Sequence, residues 1–254
     1  MANEEVTKLE AANKQLRDQL SELGSLAGSL AHEIKNPLSV IRMNMDLLAE
    51  DLDEVETSRE RRTVTKVGVV QSQCSRLENL LDDFLRFARL THLELTPGSL
   101  NHQIEKVLDL YEAQAMESRV EIIRYLDPDL PSMRLDAQTL QAALVNLVKN
   151  GLEAMPNGGE LTIRTYSTRG GVAVDLIDTG YGMDPKTAMH MFDAFFSTKD
   201  GGSGLGLPTT RKIIEAHGGR IDVQSAVGTG TKFTLEFSAF VRLSSEGDAN
   251  VEAS

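Results

Sequence analysis

Glycine is confined to one part of this chain. Of the 20 glycines in 254 residues, 15 lie between Gly151 and Gly230, and before Gly98 there are only Gly24, Gly28 and Gly68. A glycine inside a helix costs about 1 kcal/mol relative to alanine, and glycine is the default residue where a backbone must turn sharply. The sequence therefore divides into a part that can sustain long helices and a part that must turn often.

The first part carries the matching pattern. Apolar residues step by threes and fours through Val6, Leu9, Leu16, Leu20, Leu23, Ala27, Leu30 and Ile34, and the seven-residue register continues at Ile41, Leu48 and Val55. This is coiled-coil spacing, with Asn13 as a polar seam residue of the kind that fixes register. The charged run EDLDEVETSRERR interrupts it, and a second stripe follows at Val67, Val70, Cys74, Leu77, Leu81, Phe84 and Ala88. Two such helices joined by a polar link predict an antiparallel hairpin, and pairing with a second copy into a four-helix bundle buries its stripe. Cys74, the single cysteine, falls on the seam and reads as a small buried apolar residue; an internal disulfide and a cysteine-based zinc site are excluded.

In THLELTPGSLN the Pro97-Gly98 pair breaks the helix, and residues 96–101 read as a linker. Beyond it the pattern predicts helix 102–117, strand 119–125, helix 137–154, strands near 160–167 and 171–178, a helix opening at Asp184 with Pro185 in its first turn, a helix over 207–217, and strands 220–225 and 231–240. Strand runs with interspersed helices suggest an α+β sandwich over 102–241. Residues 242–254 read as a disordered tail.

A net charge of −12 disfavours nucleic acid and anionic lipid as partners. No apolar run approaches membrane-spanning length, and the polar, acidic N-terminus is unlike a signal peptide, so no membrane contact and a cytoplasmic location are expected.

In GSLAHEIKNPLSVIR the register puts Leu30 and Ile34 on the seam, which points His32 outward with Asn36 one turn on, on the same face. Glu33 can accept from one ring nitrogen and leave the other as a nucleophile. A zinc reading fails, because HExxH needs a histidine where Asn36 stands. Pro37 in a helix interior costs about 3 kcal/mol and reads as a hinge. The stretch HEIKNPL resembles the phosphoacceptor motif of two-component sensor histidine kinases. The resemblance implies that His32 is phosphorylated, that Glu33 is its acid/base partner, and that Asn36 helps position water for dephosphorylating the partner.

The glycine-rich part fits a nucleotide. NLVKNGLEAM sets Asn146 and Asn150 one turn apart, and the Asn150 amide oxygen suits Mg²⁺. In DTGYGM, Asp178 can accept from an adenine amino group, while Gly180 and Gly182 let backbone approach base and sugar. FDAFFSTK precedes GGSGLGLP, a loop running into a helix whose free N–H groups can receive phosphate. Lys199 and Arg211 are the candidate positive groups. The loop is neither GxGxxG after a strand nor GxxxxGK.

In order, with GTGTKF, these stretches are similar to the N, G1, F, G2 and G3 boxes of the histidine-kinase ATP-binding domain. The two resemblances together run over residues 20–240. They imply a dimerisation hairpin over 24–95, preceded by a signalling coil over 1–23, and a Bergerat-type ATP-binding sandwich. They further imply homodimerisation through residues 6–95, ATP and Mg²⁺ as cofactors, a response-regulator receiver domain as partner, and nucleotide contacts at Asn146, Asn150, Asp178, Gly180, Gly182, Lys199, Gly202, Gly204, Leu205, Gly206 and Thr231, with Asn150 on the metal. One departure stands out: Glu153 follows Asn150 by three residues where the family often carries a basic residue, so phosphate contacts rest more on Lys199 and on the 200–206 loop, the lid. Two other readings remain open from the residues, a related ATPase without phosphohistidine and a dimeric scaffold that binds ATP without turnover.

Overall fold

The computed structural model describes residues 34–50, 57–89, 93–199 and 202–238. His32, Glu33, the 1–23 coil and the 242–254 tail lie outside them. Helix α1, described over 34–50, is helical on both sides of Pro37. Helix α2 is Ser58–Arg89, and it begins inside the charged run expected to be a break. The reason is local: the Glu60 carboxylate accepts from Thr57 N–H at 2.8 Å and the Thr57 hydroxyl accepts from Glu60 N–H at 3.2 Å, a reciprocal capping box.

The two helices run antiparallel. Lys35 pairs with Asp82 at 2.5 Å, Arg42 with Glu78 at 3.2 Å, and Gln71 donates to Asp46 at 2.7 Å. Leu38 from α1 and Val67, Cys74 and Leu81 from α2 are buried; the α2 residues are spaced by sevens, so one heptad position faces the partner helix. The other stripe, Ile34, Ile41 and Leu48 with Val70 and Leu77, stays exposed.

The second layer system follows as β1 (Thr96–Gly98), α3 (Leu100–Glu117), β2 (Val120–Tyr125), β3 (Met133–Leu135), α4 (Ala137–Glu153), β4 (Gly159–Thr168), β5 (Gly171–Asp178), α5 (Pro185–His190), α6 (Gly206–Ala216), β6 (Gly219–Ala226) and β7 (Gly230–Ser238). The main sheet has the order β2-β4-β5-β7-β6, parallel only between β2 and β4. Helix α3 packs on β2, α4 on β4 and β5, and α6 on β6, with α4 touching both other helices. Leu140, Leu144, Leu161, Ile163, Ile214 and Leu235 are among the fully buried residues between the layers. The α+β sandwich is thus present. The expected linker 96–101 is not a free connection: β1 pairs antiparallel with β3, and Ser99 caps α3 by accepting from His102 N–H at 3.2 Å. Among the described residues no helix is long and apolar enough to cross a membrane.

The sheet's other face holds one fully buried acid. Asp175 accepts from Arg164 at 2.6 Å, Thr234 at 2.8 Å and Lys232 at 3.2 Å, its neighbours on β4 and β7. Burial works to raise the carboxyl's pKa, but the bonds from Thr234, Arg164 and Lys232 together hold it below the ordinary value. A depressed folded-state pKa stabilises the fold at neutral pH, and that contribution fades as pH falls from about 4 through the folded value. Asp175→Asn is expected to lower stability at pH 7 by about 2–3 kcal/mol and to flatten the acid limb of a melting-temperature profile. An unchanged acid limb would remove Asp175 as its source.

Candidate active site

A cleft of about 1120 Å³ lies between α2 and the helical layer of the sandwich. Most of the expected site residues line it: Asn146 and Asn150 from α4, Asp178 from the end of β5, Gly182 after it, Lys199 before the lid, Gly202, Gly204 and Gly206 through the lid into α6, and Thr231 on β7.

Asp178 is 6% exposed. Its Oδ1 accepts from Gly180 N–H at 2.9 Å and Thr231 N–H at 3.2 Å, while Oδ2 takes no hydrogen bond among the described residues. Burial pushes its carboxyl above the ordinary range, against the two N–H donors. One oxygen is fixed and the other is a spare acceptor in the cleft, the arrangement needed to bind an exocyclic amino group.

The glycines serve the fold as well as any ligand. A Cβ on Gly182, where φ is +65°, would stand 2.0 Å from the Ala226 carbonyl oxygen, and one on Gly180 would stand 2.6 Å from that of Ala154. Both therefore permit close backbone approach within the protein. Gly180 does not line the cleft and reaches the site only through its N–H on Asp178.

The lid enters α6 without a side-chain cap: Leu205 stands at the N-cap and makes no side-chain bond. Helix N-termini present unsatisfied N–H groups and a partial positive charge, which suits phosphate. Asn146 supports this corner. Its Nδ2 donates to Thr210 Oγ1 at 2.9 Å, and a Cβ on Gly206 would fall 2.4 Å from its Oδ1. Leu205, expected to touch nucleotide, is fully buried and absent from the cleft lining.

Lys199 does not reach free into the cleft. Its Nζ donates to Asn150 Oδ1 at 2.8 Å and also pairs with Glu153. Arg211 turns away: its guanidinium bonds Glu215 at 2.8 Å and lies over the Phe192 ring. Asn36 is exposed on α1 and does not line the cleft.

The far wall comes from α2, which the sequence did not suggest. Ser203 of the lid donates to Asp83 at 2.6 Å, and Lys212 of α6 donates to the Phe87 carbonyl at 3.2 Å with its ammonium 3.8 Å from the Phe87 ring centre. Burial pushes the Lys212 pKa down. Contacts separated by some 120 positions leave no local pattern, so only the spacing of Asp83 and Phe87 on one α2 face, one turn apart, could have hinted at them.

A helical hairpin docked on an α/β sandwich, with a buried carboxylate keeping one oxygen free, a paired-asparagine helix and an uncapped lid helix in one cleft, is an arrangement suited to a nucleotide. Residues 135–240 match the family described as histidine kinase-, DNA gyrase B- and HSP90-like ATPase, and residues 22–93 match the His Kinase A (phospho-acceptor) domain. The chain is 32% identical over 219 residues to the signal transduction histidine-protein kinase AtoS of Escherichia coli, covering 86% of this chain and 35% of that protein. The full-length ShkA structure in complex with AMPPNP matches with TM-score 0.69 and 27% identity, over 85% of this chain and 46% of that one. The catalytic domain of histidine kinase ThkA matches at 30% identity and TM-score 0.53, over 57% of this chain and 98% of that one. ThkA in complex with response regulator protein TrrA matches at 28% identity and TM-score 0.63, over 92% and 66% respectively. This chain belongs to the histidine-kinase family. It spans about a third to a half of the length of the curated relatives it matches.

Proposed function

We propose that this chain is the catalytic core of a sensor histidine kinase, which phosphorylates His32 from ATP and passes the phosphoryl group to an aspartate of a response-regulator receiver domain. The observation that carries this reading is Asp178, buried at the cleft with one oxygen fixed and one spare.

Asp178 Oδ2 takes the adenine amino group, and the uncapped start of α6 receives the phosphates. A ring nitrogen of His32 attacks the γ-phosphorus, the bond to the β–γ bridging oxygen breaks, ADP leaves, and Glu33 takes the imidazole proton. Asn150 and Glu153 offer hard oxygen donors already satisfied by an ammonium, a donor set that fits Mg²⁺. Asn150 would be the ligand of such an ion, which would supply charge neutralisation to the phosphates. Asn36 serves the reverse task, positioning water when the core dephosphorylates its regulator. The Pro97-Gly98 stretch is paired to β3, so freedom of the ATP domain to reach His32 rests on contacts such as Ser203–Asp83 and not on that segment.

The exposed stripe of Ile34, Ile41, Leu48, Val70 and Leu77 supports homodimerisation through the hairpin. ATP and a receiver domain as substrates place the reaction in the cytoplasm. The test is incubation with γ-labelled ATP and Mg²⁺. A stably bound label that survives base and is lost in acid is expected; no label, or label stable to acid, overturns the reading.

A further inference from the structure

Asn150 Oδ1, the oxygen assigned to the metal, is not idle. The Lys199 ammonium donates to it at 2.8 Å and pairs at the same time with Glu153. Asn150 and Glu153 stand three residues apart at the end of α4, on one face, where the helix carbonyls add negative potential. A second ammonium, Lys149, reaches the other Glu153 oxygen only at 3.8 Å. An amide oxygen, a carboxylate and a helix C-terminus thus converge on one positive charge.

We propose that the Lys199 ammonium is a resident cation in the metal position, and that Mg²⁺–nucleotide binding proceeds by exchange of one cation for the other. This rests on the nucleotide reading above. Lys199 and Mg²⁺ cannot share Oδ1, because like charges at contact repel strongly where water is partly excluded. Metal arrival therefore releases Lys199, and the ammonium turns to the phosphates that arrive with the ion. Glu153 stays as the second oxygen donor. Its acidic character, the departure from the family's usual basic residue, is what lets α4 hold a cation in either state.

Lys199 is well placed to report the exchange. Its N–H donates to Ser197 Oγ at 3.1 Å and its carbonyl accepts from Gly202 N–H at 3.1 Å. The next lid residue, Ser203, is the one bonded to Asp83 of α2. The lysine is thus bonded through its own carbonyl to the residue that precedes the lid's contact with the hairpin.

The test titrates Mg²⁺ against the full chain with a non-hydrolysable ATP analogue and reads analogue binding by calorimetry. Lys199→Met removes the competing cation and is expected to lower the half-saturating Mg²⁺ about three- to tenfold, while weakening analogue binding in EDTA. Glu153→Gln removes the carboxylate charge that draws the ion to α4 and is expected to raise half-saturation by a similar factor. Opposite signs are the signature; a surface ion pair of structural value alone moves neither. Half-saturation that is unchanged in both variants, or shifted the same way, overturns the exchange while leaving the nucleotide site intact. A wild-type chain that binds no analogue at any Mg²⁺ concentration overturns the nucleotide reading and the exchange with it.

Discussion

His32→Ala is expected to lose the acid-labile label completely, at least a hundredfold by an order-of-magnitude reckoning, while binding ATP as the wild type does. The sequence has five histidines, and the described ones are poor substitutes as nucleophile. His217 is buried with both ring nitrogens engaged: Nε2 accepts from Asp136 N–H at 3.1 Å, which leaves the proton on Nδ1 to donate to the Ile213 carbonyl at 2.7 Å. His190 is tied through Nδ1 to Asp193 at 2.7 Å. His102 sits in the first turn of α3 and does not line the cleft. None of them has a glutamate beside it in sequence, as His32 has Glu33. Retained ATP binding separates loss of the acceptor from loss of the fold. Label persisting at wild-type level in His32→Ala would move the acceptor elsewhere.

Asp178→Asn is the second large effect. Asparagine can keep its oxygen on the Gly180 and Thr231 N–H groups, which preserves the turn. Its amide nitrogen then stands where the spare oxygen stood, and a donor faces the adenine amino donor. Losing a charge-assisted bond of this kind costs about 2–3 kcal/mol, so ATP affinity is expected to fall about 30- to 150-fold. A nearly unchanged melting temperature should accompany it. Equal affinity in mutant and wild type would mean that adenine is read by another group.

Most of the sandwich was legible because each element carries its own period. The alternation through β7 and the three-four steps of α4 and α6 report which face is buried, whatever the partner. Asp184 with Pro185 marked α5, and the structure gives the cap directly, with Asp184 accepting from Lys186 and Thr187 N–H. The failures were of two kinds. Short elements have no period to read: β1 and β3 are three residues each, and by sequence β1 is indistinguishable from a linker. Long-range pairings leave no trace in either partner's neighbourhood. Nothing near Lys199 says that its ammonium rests on Asn150, and nothing in α2 says that Asp83 holds the lid.

The candidate site divides in the same way. Asn146, Asn150 and Asp178, legible from their type and spacing, and Thr231, implied by the resemblance alone, converge in one cleft. Leu205 lies within the same loop, but as an apolar residue between glycines it is enclosed by protein and not turned to the cleft. Arg211 offers only its charge, and Glu215 four residues on is the partner that takes it. Capping chemistry was equally available at Thr57 and Glu60, where TSRE starts a helix that the charge run had concealed.

The central claim is that ATP bound in this cleft phosphorylates one particular histidine. Its most direct test is to react the full chain with ATP and Mg²⁺, digest it at alkaline pH, and map the phosphoryl group by tandem mass spectrometry. Phosphate is expected on His32 within the peptide that contains HEIKNPL. Phosphate on any other residue, or an unmodified peptide from a chain that has consumed ATP, would contradict it.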